Sequence, residues 1–194
     1  LKAQEALLQR AVNSLRTGGS GQDGLSHAAE WMLDNFYLAQ QSLRQIREDM
    51  PRGYYRQLPK LAAGPLQGYP RIYDLAQRLV VSSDARLELA QVERIVSLYQ
   101  DVRLLTTGEL WALPVMLRFS ILTILTEAAG QITARAGASA AGEPVHRGPP
   151  TLPLTGRISG DEIIANCFTS LRTIAAYDWM VFFEHVSRVE QILC

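Results

Sequence analysis

Residues 110–125 read LWALPVMLRFSILTIL, a strongly apolar run of 16 residues whose only charge is Arg118. Such a run is either a membrane span or the middle of a helical core. Spanning a bilayer takes about 20 residues, and an arginine near the centre costs roughly 2.5–3.5 kcal/mol on insertion. The run therefore reads as the central helix of a bundle. Just before it, Thr106 and Glu109 have the spacing of a capping box, and Leu105 with Leu110 that of a hydrophobic staple. A helix is expected from about 107 to 136, kinked near Pro114, because proline lacks the backbone donor and clashes one turn back.

Helical periodicity continues on both sides. Leu7, Leu8, Ala11, Val12 and Leu15 line one face of residues 2–16. A long helix follows at 26–48, with Ser26 as N-cap, Pro51 beyond its end, and Trp31, Leu33, Phe36, Tyr37, Leu38, Leu43 and Ile46 as its core face. Residues 51–69 carry repeated Pro and Gly and read as an irregular, aromatic-rich connector that packs on the bundle. Helices are expected at 70–81, at 88–101 (Leu89, Val92, Ile95, Val96 and Tyr99 inward), at 160–176 behind a Ser159/Glu162 capping box, and at 178–193. Residues 137–157 form a long Pro/Gly-rich loop. Sustained alternation of period two is absent from the chain. The fold class is all-α: a compact bundle of about seven helices in a single domain over 1–194, closed by a helical hairpin at 158–194. The chain starts at Leu1 and stops at Cys194 directly after a helix, which reads as a piece of a longer protein.

Residues 19–24, GSGQDG, match G-x-G-x-x-G. A phosphate cradle needs a strand before that sequence and a βαβ unit around it. The segment before it is helical, so the glycines read as a helix–helix connector. Lysine plus arginine equals aspartate plus glutamate at 19 each, so no bulk field favours nucleic acid or an anionic membrane. The two cysteines, Cys167 and Cys194, form no CxxC pair, and His27, His146 and His185 fall in no metal-binding pattern. No nucleophile elbow occurs. Hence no catalytic residue and no metal ligand is assigned.

Three polar constellations stand above background. Trp31, Asp34, Asn35 and Tyr37 share one helix, Trp31 and Asn35 at i, i+4. Buried Asp and Asn need partners, either internal ones or a ligand. The second set is Tyr54, Tyr55, Arg56, Tyr69, Arg71 and Tyr73, rings and cations that suit the face of a sugar or the packing of a loop. The third is Glu109, Trp111 and Arg118, where a buried Glu109–Arg118 pair would hold the bundle in register.

Four stretches in order carry a resemblance: 29–61 (AEWMLDNFYLAQQSLRQIREDMPRGYYRQLPKL), 68–76 (GYPRIYDLA), 106–118 (TTGELWALPVMLR) and 170–193 (SLRTIAAYDWMVFFEHVSRVEQIL). Together they resemble the N-terminal region of the cyclic β-1,2-glucan synthases, very large bacterial inner-membrane glycosyltransferases. The resemblance implies a parent that polymerises glucose from UDP-glucose with a divalent metal, and a segment lying on the cytoplasmic face before the membrane helices. The acidic cluster that holds metal and UDP in the family's transferase is not among these stretches, so no cofactor is implied for this segment. Its implied partners are the other domains of the synthase and β-1,2-glucan, with membrane contact only through the parent. Four roles are open at this stage: a non-catalytic scaffold or regulatory domain, a glucan- or UDP-glucose-contacting module, a tyrosine primer for the glucan, and an oligomerisation domain built on the apolar central helix.

Overall fold

In the computed structural model, which describes residues 1–18, 27–135, 152–153 and 158–188, the apolar run of 110–125 lies inside one long helix. Eight helices occur among the described residues: α1 (Lys2–Gly18), α2 (His27–Asp49), α3 (Arg52–Gln57), α4 (Arg71–Ser82), α5 (Leu89–Val102), α6 (Thr107–Arg135), α7 (Gly160–Ala176) and α8 (Trp179–Val186). No strand occurs among the described residues, and one isolated bridge joins Lys60 and Pro70. The fold is all-α, as the periodicity requires. The connector at 51–69 holds the extra helix, α3.

Helix α6 is the axle. It packs against α1, α2, α4 and α7, and near its start against α8. Residues 107–134 are long and apolar enough to cross a membrane by length and composition, yet 83% of their apolar window is buried inside the protein. The helix runs through Pro114 without a break. Its start is the capping box read from the sequence. Thr106 N–H donates to Glu109 Oε2 at 2.9 Å and Glu109 N–H to Thr106 Oγ1 at 3.2 Å. A second box, Ser159 with Glu162, starts α7.

The buried side of α2 departs from expectation. Ala28, Ala29, Met32, Asn35, Phe36, Leu38, Ala39, Ser42, Leu43 and Ile46 are buried, whereas Tyr37 is 55% exposed and Trp31 and Leu33 are half-buried. Reading every large apolar residue as core overlooked the small ones. Ala28, Ala29, Ala39 and Ser42 let neighbouring helices come close, and Tyr37 lies one residue, about 100° of helix, past Phe36.

The connector after α3 folds back on itself. Leu61 N–H donates to Tyr69 O and Gly68 N–H to Leu61 O, each at 2.9 Å, with Leu58 and Leu66 buried beneath. Gly64 and Gly68 take φ of +94° and +82°, open to glycine at little cost. Helix α4 ends in a Schellman turn: Ala85 N–H reaches Val80 O at 2.8 Å and Asp84 N–H reaches Val81 O at 3.2 Å. Asp84 and Ala85 carry positive φ, and α7 clamps them from above. Asn166 Nδ2 donates to Asp84 O at 3.0 Å, and Ser170 Oγ donates to Ala85 O at 2.6 Å while accepting from Leu87 N at 2.8 Å.

The GSGQDG stretch, Ser26, most of the loop at 137–157, His146 and residues 189–194 lie outside the described residues.

Candidate functional site

The polar residues singled out in the sequence come together in three places. The first is a buried knot at the start of α6. Arg71, at the first position of α4, places its guanidinium across both oxygens of Glu109, with Nη2 to Oε2 at 2.6 Å, and also donates to Leu104 O at 2.7 Å. Glu109 is fully buried and Arg71 nearly so. Burial pushes the Glu109 carboxyl up, but the bonds from Arg71 and Thr106 outweigh it and hold the group below its ordinary range. Tyr54 caps the knot by donating to Gly108 O.

The expected Glu109–Arg118 pair is corrected here. Nine residues separate the two, about two and a half helical turns, so they face opposite sides of α6. Arg118 is buried, and its Nε has no hydrogen-bond partner among the described residues. Its desolvation lowers its pKa, and the charge of Asp49 only partly offsets this. Trp111 takes no part in the knot either. It is 47% exposed and stacks on Phe183 of α8, ring centroids 4.1 Å apart.

The second place is an interior network between α1, α4 and α6. Tyr73, fully buried, accepts a bond from Gln77 Nε2 at 2.6 Å and packs against Tyr69 and Phe119. Burial, above all, raises the Tyr73 phenol far beyond its ordinary value. Gln4 Nε2 donates to Thr123 Oγ1 at 2.7 Å across the interface of α1 and α6.

The third joins α2 to α7. Asn35 Nδ2 donates to Trp31 O at 2.8 Å, and Asn35 Oδ1 accepts from Arg172. Asp34, next in sequence, points to solvent, so it does not join Asn35 as a pair of polar anchors.

Arg71 and Tyr73 are thus withdrawn from any sugar-facing surface, because both are buried and bonded inside. Of the rest of the Tyr/Arg set, Tyr54 caps the knot and Tyr69 packs on Tyr73, while Tyr55 and Arg56 line an open concavity of about 350 Å³ together with Leu1, Met50 and Arg52. Arg52 and Arg56 form no ion pair among the described residues. Lys60 lies over the Tyr55 ring, 5.7 Å from its centroid. Burial raises the phenols of Tyr54 and Tyr55. Among the described residues no three His, Cys, Asp or Glu side chains come together in a way that would hold a metal.

Sequence reasoning missed Arg172, Gln77, Gln100 and Ser170. Arg172 is exposed and reaches Asn35 from the surface, whereas the other three are polar residues on a buried stripe: Gln77 stands at i+4 from Tyr73, Gln100 continues the Val92–Val96 line of α5, and Ser170 lies beside Leu171 on the buried side of α7. That placement was the available signal.

No family model matches the chain. One curated relative, the cyclic beta-(1,2)-glucan synthase NdvB of Rhizobium meliloti (strain 1021), is 36% identical over 98 residues, which is 50% of this chain. The chain spans 3% of that protein's length. The resemblance first carried by the four collinear stretches is therefore found again by direct comparison, and it is the resemblance of a small piece to a very long protein.

Proposed function

We propose that this chain is the N-terminal helical scaffold of a cyclic β-1,2-glucan synthase. It sits on the cytoplasmic face and holds other parts of the synthase in position without performing chemistry itself. One observation supports this above the others: the residues best suited to chemistry are spent on internal bonds. Arg71 is taken by Glu109 and Leu104, Tyr73 by Gln77, and Asn35 by Trp31 and Arg172. Groups locked in a packed interior rigidify a fold, and rigidity is what a scaffold supplies. In this reading the use of UDP-glucose and a divalent metal belongs to other parts of the synthase.

A second reading, contact with glucan or UDP-glucose, keeps one specific support: the concavity with Tyr55, and with Arg52 and Arg56, which form no ion pair among the described residues. Stacking on one ring and pairing with two guanidinium groups would suit a sugar phosphate. Point variants separate the two readings. In a full-length synthase, Arg52→Ala, Tyr55→Ala and Arg56→Ala leave glucose incorporation from UDP-glucose unchanged if the chain is a scaffold, and an NMR titration of the labelled chain shows no shifts at millimolar UDP-glucose or linear β-1,2-glucan. Loss of incorporation, with shifts confined to Met50, Arg52, Tyr55 and Arg56, would replace the scaffold by the contact reading.

A further inference from the structure

The sharpest exposure of aliphatic side chains lies where α5 turns into α6. Leu98, Val102 and Leu104 are 55%, 91% and 61% exposed. Leu98 and Val102 stand at i, i+4 and share a face of α5. The helix engages α8 and the residues just past it through other residues: Glu93 with His185, Gln100 with Val186 O and Asp101 with Arg188.

This corner is held open. Arg103 N–H bonds Tyr99 O at 2.9 Å, Arg71 grips the Leu104 carbonyl, Leu105 is buried, and the capping box starts at Thr106. With its backbone pinned on both sides, the turn cannot fold Leu104 inward without breaking the Arg71 bond. Two exposed cations flank the tips, Arg94 one turn before Leu98 and Arg103 between Val102 and Leu104. Neither forms an ion pair among the described residues; of the acids on the same helix, Asp101 is paired with Arg188 and Glu93 bonds His185.

We propose that this corner is a contact with an anionic lipid surface, Leu98, Val102 and Leu104 entering the interfacial layer while Arg94 and Arg103 meet the headgroups. The shape selects this occupant. Three protruding aliphatics offer far less than the roughly 800 Å² per partner of a standard protein interface. A bilayer needs only apolar tips and adjoining cations. The contact uses this chain's own residues, beyond the expectation that the membrane is met only through the parent, and it stands whether or not the scaffold reading holds.

The test is flotation of the 194-residue chain with vesicles of phosphatidylglycerol and phosphatidylcholine, compared with phosphatidylcholine alone. The chain should float with the anionic vesicles. Leu98→Ser/Val102→Ser/Leu104→Ser should lower partitioning about tenfold or more, since each buried aliphatic contributes on that scale. Arg94→Gln/Arg103→Gln should erase the preference for phosphatidylglycerol. All five positions are exposed, so thermal melting should match the parent chain and separate loss of binding from loss of fold. Absence of flotation overturns the proposal, as does equal flotation of the triple variant. Helix α8 also exposes Met180 and Val181, and flotation abolished by Met180→Ser/Val181→Ser but not by the triple variant would overturn the corner and move the contact to α8. Concentration-dependent self-association that the triple variant removes, with no flotation of the parent chain, would make the corner a protein interface instead.

Discussion

Glu109 is the residue on which the interior polar chemistry converges, accepting from Arg71 and from both the backbone and the hydroxyl of Thr106. Removing one partner of a buried pair leaves an uncompensated charge, a loss of about 3–5 kcal/mol. Glu109→Gln should therefore lower stability by that order in urea unfolding at neutral pH. The pH dependence has a definite sign. Because the folded carboxyl is held below its ordinary value, its contribution is complete above the unfolded value, about pH 4.3. It disappears as pH falls through the lower folded value. The gap between the parent chain and Glu109→Gln should narrow steadily below that pH, and a gap constant from pH 7 to pH 3 would contradict the assignment. At this scale the capping role of Glu109 was legible from Thr106-x-x-Glu109 alone. Its ion partner was not, since Arg71 lies 38 positions away and, although helical geometry argues against Arg118, nothing local points to Arg71.

Among the elements, α4 and α7 are coupled through the turn that follows α4. Ser170 satisfies a backbone carbonyl and a backbone N–H there, both buried with it. Ser170→Ala strands the two groups, and each unsatisfied buried group costs about 1–3 kcal/mol. Loss of about 2–4 kcal/mol in chemical denaturation is expected, with faster amide exchange at Leu87 as the local signature. A cost under half a kcal/mol would mean that water replaces the hydroxyl. Helix existence was readable at this scale because apolar residues recur with the helical period in each long segment. The short α3 was not, because Pro51 and Pro59 around RGYYRQ and Gly53 within it signalled an irregular connector, and six residues hold too little periodicity to oppose that signal.

For the whole molecule, the interface between α6 and α7 should open only when the fold does. Cys167 of α7 is fully buried beside Ile121 O, and burial pushes its thiol well above the ordinary range, so its reactive thiolate is scarce in the native state. In a Cys194→Ser background, which leaves Cys167 as the sole thiol, labelling by a disulfide reagent should follow the global unfolding free energy measured with urea. Labelling that is fast and insensitive to urea would place a local opening between these helices. The same arrangement explains why 110–125 looks like a membrane segment in isolation: a helix ringed by α1, α2, α4 and α7 is buried nearly all round and needs no polar face.

The sequence by itself determined the class of fold, the positions of the long helices, the caps of α6 and α7, and the likeness to a cyclic glucan synthase. All of these rest on local spacing or on residue identity in order, which a chain carries before it folds. Only the tertiary structure decided which polar residues face one another. It sent Arg71 to Glu109, Arg172 to Asn35 and Gln4 to Thr123, and left Arg52, Tyr55 and Arg56 around an open concavity. Those pairings join residues far apart in sequence, and the direction each side chain takes depends on how helices rotate and cross. Helical period states which residues share a face, but it does not state which other helix that face will meet.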